Sequence, residues 1–403
     1  MLAAASMWTN VSILEQLDLK KDSVWRKTHD RIQAFLERSN FASLSLTIER
    51  QKERGFDRLL KLWDLIIPHL HRCSHITIKL DNCPTAWFWD SIKSADVPRL
   101  TTFSFVDGRN NDTLGCEADM KLEDISWHSV PLKKFSFEGT NRFILPPIIC
   151  PTIDSLRFTC PSSVGWMAGQ VLARYPSIRE LGLTFTQDNG SDDTTSPSSI
   201  PVIDLPSLSE MTLANPHPLI AVNTPSLSHL TLSLLQPHTW LHLRETKSAT
   251  FPFPMGWRAP LSLTSFTLDD CGFCLHDIGT VATAFESIPD ITTFKIERCD
   301  GQVFLFALLD AALDSSPGGQ NVAYREPPRI PEAIPAVIEM ERGCFPRLEV
   351  VIVANCEAPR PALYEELRLQ RPQLELQFEG MPNLNRGLHT RVSKVAKALV
   401  DYF

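Results

Sequence analysis

Residues 263–271 read LTSFTLDDC, with Leu263, Phe266 and Leu268 spaced three and two apart and Cys271 three residues beyond the last of them. Phe266 and Leu268 are two apart, so in an extended chain they point to one face while Thr267 points to the other. ITTFKIERC (291–299) and LEVVIVANC (348–356) repeat the same order of apolar residues and end on Cys299 and Cys356. A cysteine at a constant distance past three separate strands reads as a small side chain tucked under a turn, where a leucine-rich repeat places Asn or Cys. ITIKLDNC makes Cys83 a fourth candidate, and Asn215 stands one residue early in the copy that starts at Pro206.

The unit extends through the chain as Pro, any residue, apolar, two residues, apolar, one residue, apolar. It appears as PRLTTFSF from Pro98, PTIDSLRF from Pro151, PSIRELGL from Pro176, PSLSEMTL from Pro206, PSLSHLTL from Pro225, PDITTFKI from Pro289 and PRLEVVIV from Pro346. PLKKFSF from Pro131 is one residue short, and the Leu263 copy lacks the adjacent Pro. The first apolar positions are Leu100, Leu132, Ile153, Ile178, Leu208, Leu227, Leu263, Ile291 and Leu348. Most of their separations lie in or near the 20–29 residues of a leucine-rich repeat. Pro has no amide hydrogen, so it suits a strand's first residue or the turn before it. One copy buries four or five large side chains, about 1.5–3 kcal/mol each. Ordering its backbone costs about 1–2 kcal/mol per residue. A copy is therefore stable only between neighbours, which is the logic of a solenoid.

Between the strands, FDRLLKLWDLIIPHL (56–70) carries Phe56, Leu59, Leu60, Trp63, Ile66, Ile67 and Leu70 at helical spacing, with Pro68 shortening the last turn. VWRKTHDRIQAFLERS (24–39) carries Trp25, Ile32, Phe35 and Leu36 on one helical face. The connection from Thr212 to Pro225 is too short for a full helix. Two stretches interrupt the rhythm: a polar, acidic loop at 187–204 and a Pro-rich insertion at 314–335. The segment 387–403 is amphipathic, with Leu388, Val392, Val395, Leu399 and Phe403 on one side and Arg391, Lys394 and Lys397 elsewhere. It reads as a helix that caps the end of the stack.

The fold class expected is α/β: an irregular leucine-rich-repeat solenoid, a curved parallel sheet with helices and loops on its convex side. A first strand and junction occupy 1–20, the solenoid 21–386 as one domain, and the cap 387–403. Solvent-facing residues on the concave sheet face alternate with the core. That rule selects Ser104, Ser136, Arg157, Gly182, Thr212, Thr231, Thr267, Lys295 and Ile352 as candidate contact residues for a protein partner.

Composition narrows the function. The chain has 403 residues, a formal charge of -8, 43% hydrophobic and 21% charged residues, 30 Pro and 17 Gly. The negative balance argues against a nucleic-acid surface. The densest apolar run, VFLFALL (303–309), is far short of the about 20 residues that span a bilayer. MLAAASMWTN has no signal-peptide pattern. Ten cysteines in this length do not make a disulfide scaffold. These features read as a reduced, intracellular protein, cytoplasmic or nuclear, and the glycosylation-type triplets at Asn10, Asn111 and Asn189 read as chance.

No GxSxG, strand-following GxGxxG, GxxxxGK[ST] or HExxH motif occurs. The expectation is a protein that is not an enzyme, with no catalytic residues and no cofactor. Cys271, Cys274 and His276 form the best metal candidate, but three groups lack a fourth ligand and Cys271 already has a place in the repeat, so no metal is expected. His69, His71 and Cys73 follow a helix, where histidines interact with the dipole. Trp87, Phe88 and Trp89 are read as core in preference to an interface anchor. The acidic loop reads as solvated in preference to a basic-partner site, and the 387–403 segment as a cap in preference to a membrane-surface helix.

AAASMWTNVSI (3–13), the helix-LxRS-strand order of VWRKTHDRIQAFLERSNFASLSLTI (24–48) and the Pro before each strand together resemble fungal F-box proteins with a degenerate leucine-rich-repeat domain. In that family an Ala-rich helix end, a Trp and a first strand follow the F-box. The resemblance implies a substrate receptor of a Skp–cullin–F-box ubiquitin ligase that recognises its protein target by shape and hydrogen bonds. The F-box would lie before Ala3, so a Skp-type adaptor is a partner only if an upstream F-box exists. Two other readings stay open: a stand-alone leucine-rich-repeat scaffold without a ligase link, and an enzyme on a parallel β-helix.

Overall fold

The computed structural model describes residues 9–13, 21–50, 56–80, 86–107, 125–138, 148–161, 171–186, 203–215, 222–234, 262–273, 290–301, 303–305, 308–309, 347–356 and 361–380. The chain is α/β, with thirteen strands in one open parallel sheet whose order follows the sequence. Its contacts divide it into two compact units, the first built from residues up to Met211 with 219–224, the second from 212–218 and the remainder.

In the first unit, β1 (Asn10–Ile13), β2 (Leu44–Arg50), β3 (Cys73–Leu80), β4 (Thr102–Asp107), β5 (Lys134–Glu138), β6 (Ser155–Pro161) and β7 (Glu180–Thr186) pair in parallel, each with the next. Helices α1 (Asp22–Arg38), α2 (Phe56–Ile66) and α3 (Ala86–Ser94) lie in the early connections. α2 stops at Ile66, and a 3-10 turn follows over Ile67–Arg72. Pro68 has no amide hydrogen to continue the α ladder. Two short strand pairs, Ile125–Ser126 with Ile148–Ile149 and Ile203–Asp204 with Val222–Asn223, add a second layer of pairing to later connections.

β8 (Glu210–Ala214) holds the boundary between the units. In the second unit, β9 (His229–Ser233), β10 (Ser265–Asp269), β11 (Thr293–Glu297), β12 (Val350–Ala354) and β13 (Glu375–Glu379) pair in parallel, with α4 (Pro361–Gln370) before the last strand.

The Pro of the repeat belongs to the turn before the strand. Leu100 N–H donates to Val97 O at 3.1 Å, Ile178 to Tyr175 O at 3.2 Å and Leu208 to Leu205 O at 3.2 Å, with Pro98, Pro176 and Pro206 at the second turn position. Pro's fixed φ suits that position. The turn delivers the first apolar residue to the core, and the next strand starts two residues on. There the layers are tied by a shared acceptor: Thr264 and Ser265 N–H both reach Ser228 O, and Thr292 and Thr293 N–H both reach Thr264 O.

Alternation then sorts the side chains. Phe103, Phe105, Phe135, Phe137, Leu156, Phe158, Leu181, Leu183, Met211, Leu213, Leu230, Leu232, Phe266, Leu268, Phe294, Ile296, Val351 and Val353 are all buried. In register, equivalent residues stack: Phe105 on Phe137 at 5.9 Å and Phe266 on Phe294 at 5.8 Å. Phe88 and Trp89 of α3 close this core, with ring centroids 5.5 and 4.6 Å from Phe105. On α2 the inward face is Leu59, Leu62, Trp63 and Ile66, while Leu60 and Ile67 are half-buried on its shoulder. The predicted face thus omitted Leu62 and included two flanking positions. On α1 the buried positions are Thr28, Ile32 and Leu36, with Trp25 and Phe35 half-buried.

Candidate interaction face

The residues between the core positions form rows on the opposite face. In the first unit the register runs Ser12, Thr47, Thr77, Ser104, Ser136, Arg157, Gly182. In the second it runs Thr231, Thr267, Lys295, Ile352, Gln377. Thr212 is exposed on β8. Each of the nine sequence-predicted positions is therefore on the solvent side of its strand, exposed or half-exposed. The register also adds Ser12, Thr47, Thr77 and Gln377. Their signal was present in the alternation of NVSI, LSLTIE, HITIKL and ELQFE. ELQFE departs from the repeat because its inward positions, Leu376 and Phe378, both half-buried, have no third apolar residue at the expected spacing.

Two positions of the first row depend on each other. A Cβ at Gly182 would lie 2.8 Å from Arg157 Cγ, so the Arg157 stem lies across β7 where no side chain stands. Arg157 keeps its head in water, and among the described residues no carboxylate pairs with it.

In the second unit the charges are tied together. Lys295 Nζ lies 3.1 Å from Glu297 Oε2 and 3.3 Å from Glu379 Oε2, two strands away. Register places Ala354 between Glu297 and Glu379, and its methyl group leaves Lys295 room to cross β12. Burial pulls the Lys295 pKa down, but the hydrogen bonds and charges of Glu297 and Glu379 outweigh it, and the net shift is upward. Arg298 grips Asp269 with both ends of its fork, Nε to Oδ1 at 2.9 Å and Nη2 to Oδ2 at 2.5 Å. Asn355 Nδ2 donates to Glu297 Oε1 at 3.4 Å.

At the end of each strand from β8 on, one residue turns left-handed: Asn215, Leu234, Asp270, Arg298, Asn355 and Gly380, with φ from 48 to 70 degrees at these and at Asn40. At five of them the conformation aims the N–H at the neighbouring strand, Asn215 to Ser233 O at 3.0 Å, Leu234 to Asp269 O at 3.1 Å, Asp270 to Glu297 O at 2.9 Å, Arg298 to Ala354 O at 3.1 Å and Asn355 to Glu379 O at 3.0 Å. After Asp270, Arg298 and Asn355 the next residue is the repeat cysteine. Cys271 Sγ reaches Leu232 O at 3.7 Å, Cys299 Sγ reaches Leu268 O at 3.6 Å and Cys356 Sγ reaches Ile296 O at 3.5 Å. Cys271 N–H in turn donates to Cys299 Sγ at 3.2 Å. The Cys299 thiol is pushed up by its contact with Cys271 and by burial, and Cys356 by burial to about 11. Thiols held neutral in this way are poor nucleophiles. Cys83, Cys274 and His276 lie outside the described residues. Among the described residues no group of three or more His, Cys, Asp and Glu side chains is placed to hold a metal ion.

The HLHRC stretch closes the end of α1. Arg72 is 3% exposed, and its Nη2 donates to Leu36 O at 2.7 Å, at the negative end of the helix. The same nitrogen faces His69 Nδ1 at 3.3 Å. Guanidinium only donates, so Nδ1 must accept and His69 is neutral there. Burial, then Arg72, then His71 lower the His69 pKa. Burial pushes Cys73 up to about 12. The side chain of Trp87, the loop 187–202, the insertion 314–335, the segment 387–403 and the junction 1–8 lie outside the described residues. Among the described residues no helix is long and apolar enough to cross a membrane.

No protein-family model matches the chain, and no curated protein matches it.

Proposed function

We propose that the chain is a leucine-rich-repeat-like module that binds another protein on the solvent face of its sheet. One observation carries this reading: side chains of many separate strands are brought into register as continuous rows of hydroxyl, amide and charged groups. A polar sheet face suits recognition by shape and hydrogen bonds. Parallel strands one repeat apart, with buried Cys271 and Cys299 and half-buried Cys356 just past the ends of β10, β11 and β12, support the leucine-rich-repeat assignment. By the resemblance of Ala3–Ile13 and Val24–Ile48, the role proposed is that of the substrate receptor of an intracellular Skp–cullin–F-box ubiquitin ligase. The receptor performs no covalent chemistry itself.

The test is affinity purification of the native full-length product, with Arg157→Glu and Lys295→Glu variants beside it. The captured protein should be lost from one or both variants while their unfolding midpoints stay near the parent's. Capture unchanged in both would overturn binding through the sheet face. Recovery of a Skp adaptor and a cullin supports the ligase role. Their absence beside a face-dependent partner leaves a stand-alone scaffold.

A further inference from the structure

Among the described residues, every other strand of the second unit is polar on its outward face. Those outward residues are His229 and Thr231 on β9, Ser265, Thr267 and Asp269 on β10, Thr293, Lys295 and Glu297 on β11, and Glu375, Gln377 and Glu379 on β13. β12 breaks the rule. Its sequence, VVIVA, is apolar at all five positions, so Val350 and Ile352 form a short apolar stripe on the solvent side, which ends at the fully buried Ala354. Val350 and Ile352 are half-exposed. A strand apolar on both faces is the pattern of one covered on both faces.

The rim of the stripe indicates what covers it. In register, β13 sets Glu375 beside Val350 and Glu379 beside Ala354, and β11 sets Glu297 on the other side of Ala354. Lys295 is the single cation on these two flanking strands, and both Glu297 and Glu379 already hold it. A central apolar strip with an acidic rim repels nucleic acid and anionic lipid and complements a basic segment. We infer that the β12 stripe is the docking site for a segment of a protein partner that sets large apolar side chains on Val350 and Ile352 and Lys or Arg against Glu375 and Glu379. This inference rests on the protein-binding reading above and names the partner's chemistry at one part of the face.

The probe is a fluorescently labelled peptide of alternating Leu and Lys, with a Leu/Glu peptide as control, added to the full chain and followed by anisotropy. The Leu/Lys peptide should bind, more weakly at high salt, and the Leu/Glu peptide should not. The pair Val350→Thr and Ile352→Thr should weaken binding about tenfold or more, as loss of a central apolar anchor does. Glu375→Lys should weaken the Leu/Lys probe and admit the Leu/Glu probe. Unchanged binding in the double Thr chain, or equal binding of both peptides, overturns the inference. Residues 387–403 are themselves basic and apolar. If Arg391→Glu, Lys394→Glu and Lys397→Glu together raise Leu/Lys binding, the chain's own tail fills the stripe and the partner assignment fails. If the probe shows no dependence on β12 while Arg157→Glu still abolishes partner capture, this inference falls and the protein-binding reading stands.

Discussion

Phe294 and Lys295 are neighbours in sequence, and exchanging each for Ala should have unlike consequences. Phe294 is fully buried, stacked on Phe266 at 13 degrees and edge-on to Phe304 with centroids 6.4 Å apart. Removing a buried ring in such a layer costs about 3–5 kcal/mol, from lost transfer energy and the cavity left between two repeats. Lys295 is shared by two carboxylates near the surface, its side chain 29% exposed. Its loss costs about 0–1 kcal/mol after solvent screening. Urea unfolding followed by far-ultraviolet circular dichroism separates the two, provided the slope m is unchanged. If the units unfold in separate steps, Phe294→Ala should move only the step of the second unit. A double-mutant cycle with Phe266→Ala should return a coupling of about 0.5–1.5 kcal/mol for the stacked pair. Partner capture should show the reverse order, sensitive to position 295 and indifferent to 294 in whatever fraction stays folded. Equal costs at the two positions, or a Phe294→Ala cost below about 1 kcal/mol, would refute the alternation on which the face is assigned.

Leu234 holds φ at 56 degrees with a γ-branched side chain; Leu234→Asn should raise stability by about 1 kcal/mol, read as a higher Tm, because Asn tolerates the left-handed region. Cys299→Ala removes the acceptor for the Cys271 N–H and should cost about 1–3 kcal/mol, whereas Cys299→Ser keeps an acceptor and should recover part of the loss in the same denaturation assay. Acidification should destabilise the first unit. The folded His69 pKa lies below its unfolded value of 6.5, so the unfolded state takes up the proton first. The stability is fully present above 6.5 and is lost as pH falls from there toward the folded pKa. His69→Gln should flatten that part of the stability–pH curve, and an unaltered curve would remove His69 as its source.

Much of this architecture was legible because it is local. The spacing of two between Phe266 and Leu268, and between their equivalents, determines which side chains share a face wherever the strand lies. Helix spacing likewise exposed α2, and the Pro positions marked the turns. The constant offset of Cys271, Cys299 and Cys356 announced a shared place at the strand ends. The left-handed turns were half-written, in Asn215, Asp270, Asn355 and Gly380, but Leu234 and Arg298 adopt the same conformation against their own preference. The N–H bonds to the neighbouring strand hold them there.

The sequence by itself determined the repeating strand, its buried side and its solvent side, because alternation is a property of each short segment alone. Only the tertiary structure decided which solvent-side residues meet. Glu379 reaches Lys295 over Ala354, Arg157 lies over Gly182, and an apolar strand lies between one that carries Glu297 and one that carries Glu375 and Glu379. Those meetings join residues from different repeats, and the register that brings them together is set by how whole layers stack.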